Sequence, residues 1–176
     1  PRASDTEAWT ATHRLVDLRK WMLQYHYDPR TGGSNSIKYV LPALLESSPY
    51  LQKRYGKPTY GTPELIPSLN FVRMQWLDRD PTTGRVTNPY DKLPPLFADY
   101  PELGENDLER LLGHDDIKEG GAAMAAYARM QFAQMSDAEV DAIRKGLLKY
   151  CELDTLAMVM VFEAFREAVT KGTRLQ

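Results

Sequence analysis

Apolar side chains recur at helical spacing in several stretches of the chain. From about Ser4 to Tyr25, Trp9, Leu15, Leu18 and Leu23 stand among charged residues, with Asp5 and Glu7 near the start where acids suit the helix dipole. This pattern predicts an amphipathic helix. Ile37, Val40, Leu41, Leu44 and Leu45 predict a second helix, introduced by the turn and capping residues Asp28-Pro29-Arg30-Thr31-Gly32-Gly33-Ser34 and kinked or interrupted at Pro42. The longest pattern opens at the capping box Ser136-Asp137-Ala138-Glu139 and continues through Val140, Ile143, Leu147, Tyr150, Leu153, Ala157, Val161 and Phe165. Gly172 is its expected stop. The pattern outruns an ordinary globular helix, so a break is expected near Gly146. Ahead of it, Ala122, Ala123, Ala125, Ala126 and Ala128 follow Gly120-Gly121 and predict a small-residue helix able to approach a neighbour closely.

The stretch from Gly56 to Pro95 has a different character, because it holds seven of the twelve prolines, too many for a helix. Within it Val72, Met74 and Trp76 alternate with Arg73 and Gln75, and Asp80-Pro81-Thr82-Thr83-Gly84 supplies a turn before Arg85-Val86-Thr87. That reads as a short β-hairpin on a long excursion. Residues 99–119 then carry eight acids against two bases, a solvated face and a poor place for a phosphate backbone. The expected organisation is one partial domain, mainly α with a short β-hairpin: helical over 1–55, a proline-rich excursion over 56–98, and helical again over 99–176.

Composition narrows the class. The 176 residues suit one domain, and 43% hydrophobic with 26% charged residues exclude disordered and fibrous chains. A net charge of -2 does not mark the whole molecule as a binder of nucleic acid or membranes, so any basic surface is local. The single Cys151 rules out an internal disulfide, and no apolar run reaches a membrane span. A reducing, cytoplasmic setting is expected. The N-terminus has neither a signal-peptide core nor an initiator methionine, and is expected to be trimmed.

For chemistry, Tyr150 and Asp154 lie four apart, so that one helical face carries both. Two roles fit this spacing. In one, the carboxylate holds a hard divalent ion while the tyrosine orients a water for phosphodiester hydrolysis. In the other, the hydroxyl and the carboxylate form a structural hydrogen-bonded pair. Lys38 and the group Lys53, Arg54 and Lys57 are candidates for phosphate contact, or simply solvated bases. His13, His26 and His114 lack metal-ligand spacing and read as surface or capping residues. Cys151 reads as a buried, inert thiol.

The stretch Tyr150-Cys151-Glu152-Leu153-Asp154-Thr155-Leu156-Ala157-Met158 resembles the closing motif of a bacterial family of uncharacterised domains found at the C-terminus of predicted RecB-like nucleases. Further landmarks follow in the same order: Asp17-Leu18, Ser36 to Leu44, Asn88-Pro89-Tyr90 with Leu93-Pro94, and Ile117 with Gly120-Gly121 and Ala123. The resemblance implies the C-terminal portion of an α/β RNase H-like fold of the DnaQ-like (DEDD) 3′-5′ exonuclease superfamily, with Mg²⁺ or Mn²⁺ as cofactor and DNA or RNA as partner. It makes Asp154 the last metal ligand, Tyr150 the water-orienting tyrosine, and Asp17 a supporting position. The other acidic ligands are expected in a missing N-terminal part of the same protein, because Asp5-Thr6-Glu7 reads as a charged helical turn and lies only ten residues before Asp17. Such a fragment is expected to be inactive alone. The alternative is a non-catalytic helical interaction module.

Overall fold

A computed structural model describes residues 16–93, 122–132 and 134–172. The expectations for Ser4 to Leu15, Asp5-Thr6-Glu7, His13, the Leu93-Pro94 step beyond Leu93, the acidic stretch 99–119, His114, Ile117 and Gly120-Gly121 lie outside them. The described chain is mainly helical, in the order α1 (Leu18–Tyr25), a 3-10 turn (Pro29–Thr31), α2 (Ile37–Ser47), α3 (Pro49–Tyr55), a second 3-10 turn (Pro89–Lys92), α4 (Ala122–Phe132) and α5 (Asp137–Lys171). Among the described residues, no helix is long and apolar enough to cross a membrane.

Asp17 has an extended backbone and its carboxylate accepts from the backbone N–H of Lys20 at 3.1 Å, so it caps α1. Its role here is that of an N-cap.

The α2 helix turns its apolar stripe inward, leaving Leu41, Leu44 and Leu45 fully buried. Pro42 sits inside it without ending it. What proline removes is the N–H that would have bonded the carbonyl four residues back, which is that of Lys38. The amide of Asn88 takes up this freed acceptor, donating from Nδ2 at 3.3 Å. The buried Ser48 closes α2 and opens α3, where its hydroxyl accepts from the Leu51 N–H and Pro49 occupies the first turn. Gln52 holds the corner by donating to the carbonyls of Leu45 and Glu46.

The long C-terminal pattern forms one unbroken helix of 35 residues. No break occurs at Gly146, which is buried within it, so the cost of a mid-helix glycine is set against burial. Gly172 follows in the left-handed region, as a stop should. The α5 helix packs against α1, α2, α3 and α4. Leu153, Ala157, Met160 and Ala164 are its fully buried contribution, meeting the α2 leucines, Leu51 and Tyr55.

The excursion wraps this helical core. Its predicted hairpin is reduced to isolated bridges: Arg79 with Val86 across the expected turn, and Tyr60 with Met74. The turn itself forms as read, with Gly84 donating to the Asp80 carbonyl at 2.8 Å. The alternating Val72-Met74-Trp76 run does not become a strand, because Arg73 adopts φ 49° and breaks the pleat. Val72 is left exposed while Trp76 is fully buried, edge-on to Phe71 at 4.9 Å and to Tyr60 at 5.6 Å. Glu46 ties the turn to α2 by accepting from Arg79 and from the Val86 N–H, both at 2.7 Å.

Candidate functional site

Three segments distant in sequence meet on one flank of α5: the start of α2, the 3-10 turn at Pro89–Lys92, and the α5 stretch from Tyr150 to Asp154. The turn is built by its own sequence. Asn88 caps it by accepting the Tyr90 N–H at 3.2 Å, and Pro89 is buried in its first position. At its far end Lys92 donates to the Gln75 carbonyl at 2.5 Å and pairs with Asp78. Held this way, Tyr90 reaches across and donates its hydroxyl to Oδ1 of Asp154 at 2.6 Å.

The Tyr90 and Tyr150 rings lie 6.1 Å apart, tilted by 58°. The ammonium of Lys38 stands 5.6 Å from the first ring and 5.3 Å from the second, within cation–π range of both. Lys38, Tyr90, Tyr150 and Asp154 are all half-buried, so the cluster is neither sealed in the core nor fully exposed.

Both phenols stay protonated at neutral pH. Burial pushes the Tyr150 hydroxyl up to about 12, and the Asp154 charge adds to it. Burial also raises Tyr90, reinforced by the hydrogen bond it donates to Asp154. Neither tyrosine can act as a general base near pH 7. Tyr90 spends its one proton on Asp154, whereas the Tyr150 hydroxyl can donate a hydrogen bond and orient a polar ligand or water.

The structure brings together three of the residues singled out in the sequence, Lys38, Tyr150 and Asp154, and corrects one pairing. The hydroxyl bonded to Asp154 belongs to Tyr90, 64 residues away in sequence, and not to its helical neighbour Tyr150. Asn88-Pro89, a capping residue before a proline, marks the turn in the sequence. Nothing local reveals where its tyrosine points.

Glu152 lies on the opposite side of the buried Leu153 and has a different task. It accepts from the Tyr60 hydroxyl at 2.7 Å, from the Asn70 N–H at 3.1 Å, from the Asn70 amide at 2.6 Å, and from the Ser68 hydroxyl. Burial alone would raise its carboxyl, but the donors from Ser68, Tyr60 and Asn70 outweigh that and hold it below its ordinary value. Glu152 is thus committed to fastening the excursion onto α5. The adjacent Cys151 is exposed and not buried as its type suggests, because its position points away from the core face of α5.

The remaining candidates fall elsewhere. Lys53 and Lys57 are exposed, whereas Arg54 is directed to Glu163 at 3.4 Å, which also accepts from the buried Tyr55 hydroxyl at 2.8 Å. His26 closes α1 and stands edge-on to Phe165 at 5.5 Å. An open apolar groove of about 610 Å³ lies between α1, the start of α2 and α5, with Asp17, Met22, Ile37, Val40, Met158 and Val161 among its lining.

Asp154 suits a hard divalent ion as a single ligand: it is a half-buried carboxylate with one oxygen held by a hydroxyl and the other outside that bond. Among the described residues, no group of three or more His, Cys, Asp or Glu is placed to hold an ion. Comparison of the chain with protein-family models, curated proteins and solved structures finds no match.

Proposed function

We propose that this chain supplies the closing corner of a metal-dependent 3′-5′ exonuclease-like site, as the C-terminal part of a DnaQ-like, RNase H-like domain of the family found with RecB-like nucleases. The observation that carries this reading is the convergence of Lys38, Tyr90, Tyr150 and Asp154, drawn from three of the segments that carry the family resemblance. Asp154 would hold Mg²⁺ or Mn²⁺ together with carboxylates from outside the described residues. When bound, such an ion supplies an activated water and charge neutralisation at phosphorus. Tyr150, protonated and beside the carboxylate, orients the attacking water. Lys38 offers a positive charge to a backbone phosphate of DNA or RNA. A cytoplasmic setting accompanies this reading.

The test uses the full-length protein with a 5′-labelled single-stranded oligonucleotide and Mg²⁺ or Mn²⁺. We expect 3′-end shortening that Asp154→Ala reduces by at least about 10³-fold, the scale of losing a charge-stabilising group at the reacting centre. Shortening that survives Asp154→Ala overturns the assignment.

The second reading is a non-catalytic helical interaction module. It is favoured by the exposed apolar side chains Trp21, Leu23 and Tyr25 on α1 and Met158, Val159 and Phe162 on α5. It predicts no shortening by the full-length protein with either metal.

A further inference from the structure

We propose that Tyr90 is a positioning residue for Asp154, and that the proline-rich excursion sets the orientation of the Tyr-x-x-x-Asp corner through it. The geometric claim stands on the contacts alone, while its consequence for turnover rests on the nuclease reading above.

The chain of contacts begins at Pro42. By withholding an N–H from the Lys38 carbonyl, it leaves an acceptor on the flank of α2 open to a donor from outside the helix. Asn88 does so with its amide at 3.3 Å, while its carbonyl oxygen accepts the Tyr90 N–H. One side chain therefore registers the 3-10 turn against α2 and shapes the turn at the same time. Lys92 secures the other end to Gln75 and Asp78. Tyr90 projects from this doubly held turn with its ring beside both Lys38 and the Tyr150 ring, and its hydroxyl engages Oδ1 of Asp154.

A carboxylate on a helix can rotate about χ1 and χ2, and one strong donor on one oxygen removes most of that freedom. The oxygen left over then has a defined direction. On the other flank of Leu153, the donors to Glu152 come from the same excursion and fix the rotation of this turn of α5. The excursion thus grips the motif helix at both acids, but in different ways. Among the described residues Glu152 has four donors and is consumed by the grip, whereas Asp154 has one donor and is aimed by it.

The experiment compares full-length wild type, Tyr90→Phe and Asp154→Ala with the same 5′-labelled oligonucleotide and Mg²⁺. Tyr90→Phe is expected to lower kcat about tenfold, equivalent to about 1.4 kcal/mol and in the range of one hydrogen bond to a charged group. KM should stay within about twofold, since the phenyl ring still fills the same space. Undiminished kcat, or a fall that merely tracks the folded fraction, overturns the proposal. If the wild type shows no shortening, or Asp154→Ala retains it, the nuclease reading is the part that fails. The positioning claim is then decided by melting. Tyr90→Phe should lower the Tm of the wild type but not that of Asp154→Ala, and equal shifts in both backgrounds overturn it.

Discussion

Glu152 and Asp154 are separated by one residue and have opposite uses, which shows how little a side chain's identity says about its role. Glu152 is a buried-facing acceptor saturated by Tyr60, Ser68 and Asn70. Replacing it by Ala leaves those donors unpaired and should cost about 2–3 kcal/mol, measured by chemical denaturation. Its pH dependence has a definite sign. The folded carboxyl lies below its ordinary 4.5, so the unfolded chain binds more protons in between. Its contribution is complete above about pH 4.5 and is lost as pH falls through the lower folded value. Stability measured against pH should therefore drop on the acid side in the wild type, and Glu152→Gln should remove that share of the slope. The sequence motif contains both acids, yet only the donors brought by the excursion distinguish the anchoring carboxylate from the one left partly open.

At the scale of elements, the helices were legible and the excursion was not. The apolar positions of α2 and α5 have helical period and the stop at Gly172 was expected, whereas the Ser48-Pro49 corner and the passage of α5 through Gly146 without a break were not. Alternation at Val72, Met74 and Trp76 suggested a strand, but a period of two says nothing about whether the backbone stays extended. Arg73 leaves that region, and burial of Trp76 against Phe71 and Tyr60 takes the place of a ladder. Gly61 is the tightest point of this packing. It adopts φ 82°, and a Cβ there would lie 2.2 Å from the Phe71 carbonyl oxygen. Gly61→Ala meets both backbone strain and a clash with main-chain atoms that cannot swing aside. A loss of at least about 2 kcal/mol is expected in urea denaturation. The grouping of the site was legible only where it is local: Tyr150 and Asp154 share a helical face, whereas Lys38, a candidate by its charge alone, and Tyr90 are brought beside them by the packing of remote segments.

For the molecule as a whole, α5 is the common support. It touches every other described α-helix. The main hydrophobic cluster takes Leu153 to Ala164 from it, whereas Ile143 and Gly146 are buried outside that cluster. At 1.5 Å per residue the helix extends about 52 Å, and the main hydrophobic cluster takes its buried residues from the second half only. In native-state hydrogen exchange, amides around Leu153 to Ala164 should open only with global unfolding, while those from Asp137 to Lys145 should exchange through smaller local openings. Uniform protection along the helix would refute this division. The corner from Tyr150 to Asp154 sits where protection is expected to rise, so a partner that shields the early turns of α5 would stiffen the ground on which Asp154 stands without touching it.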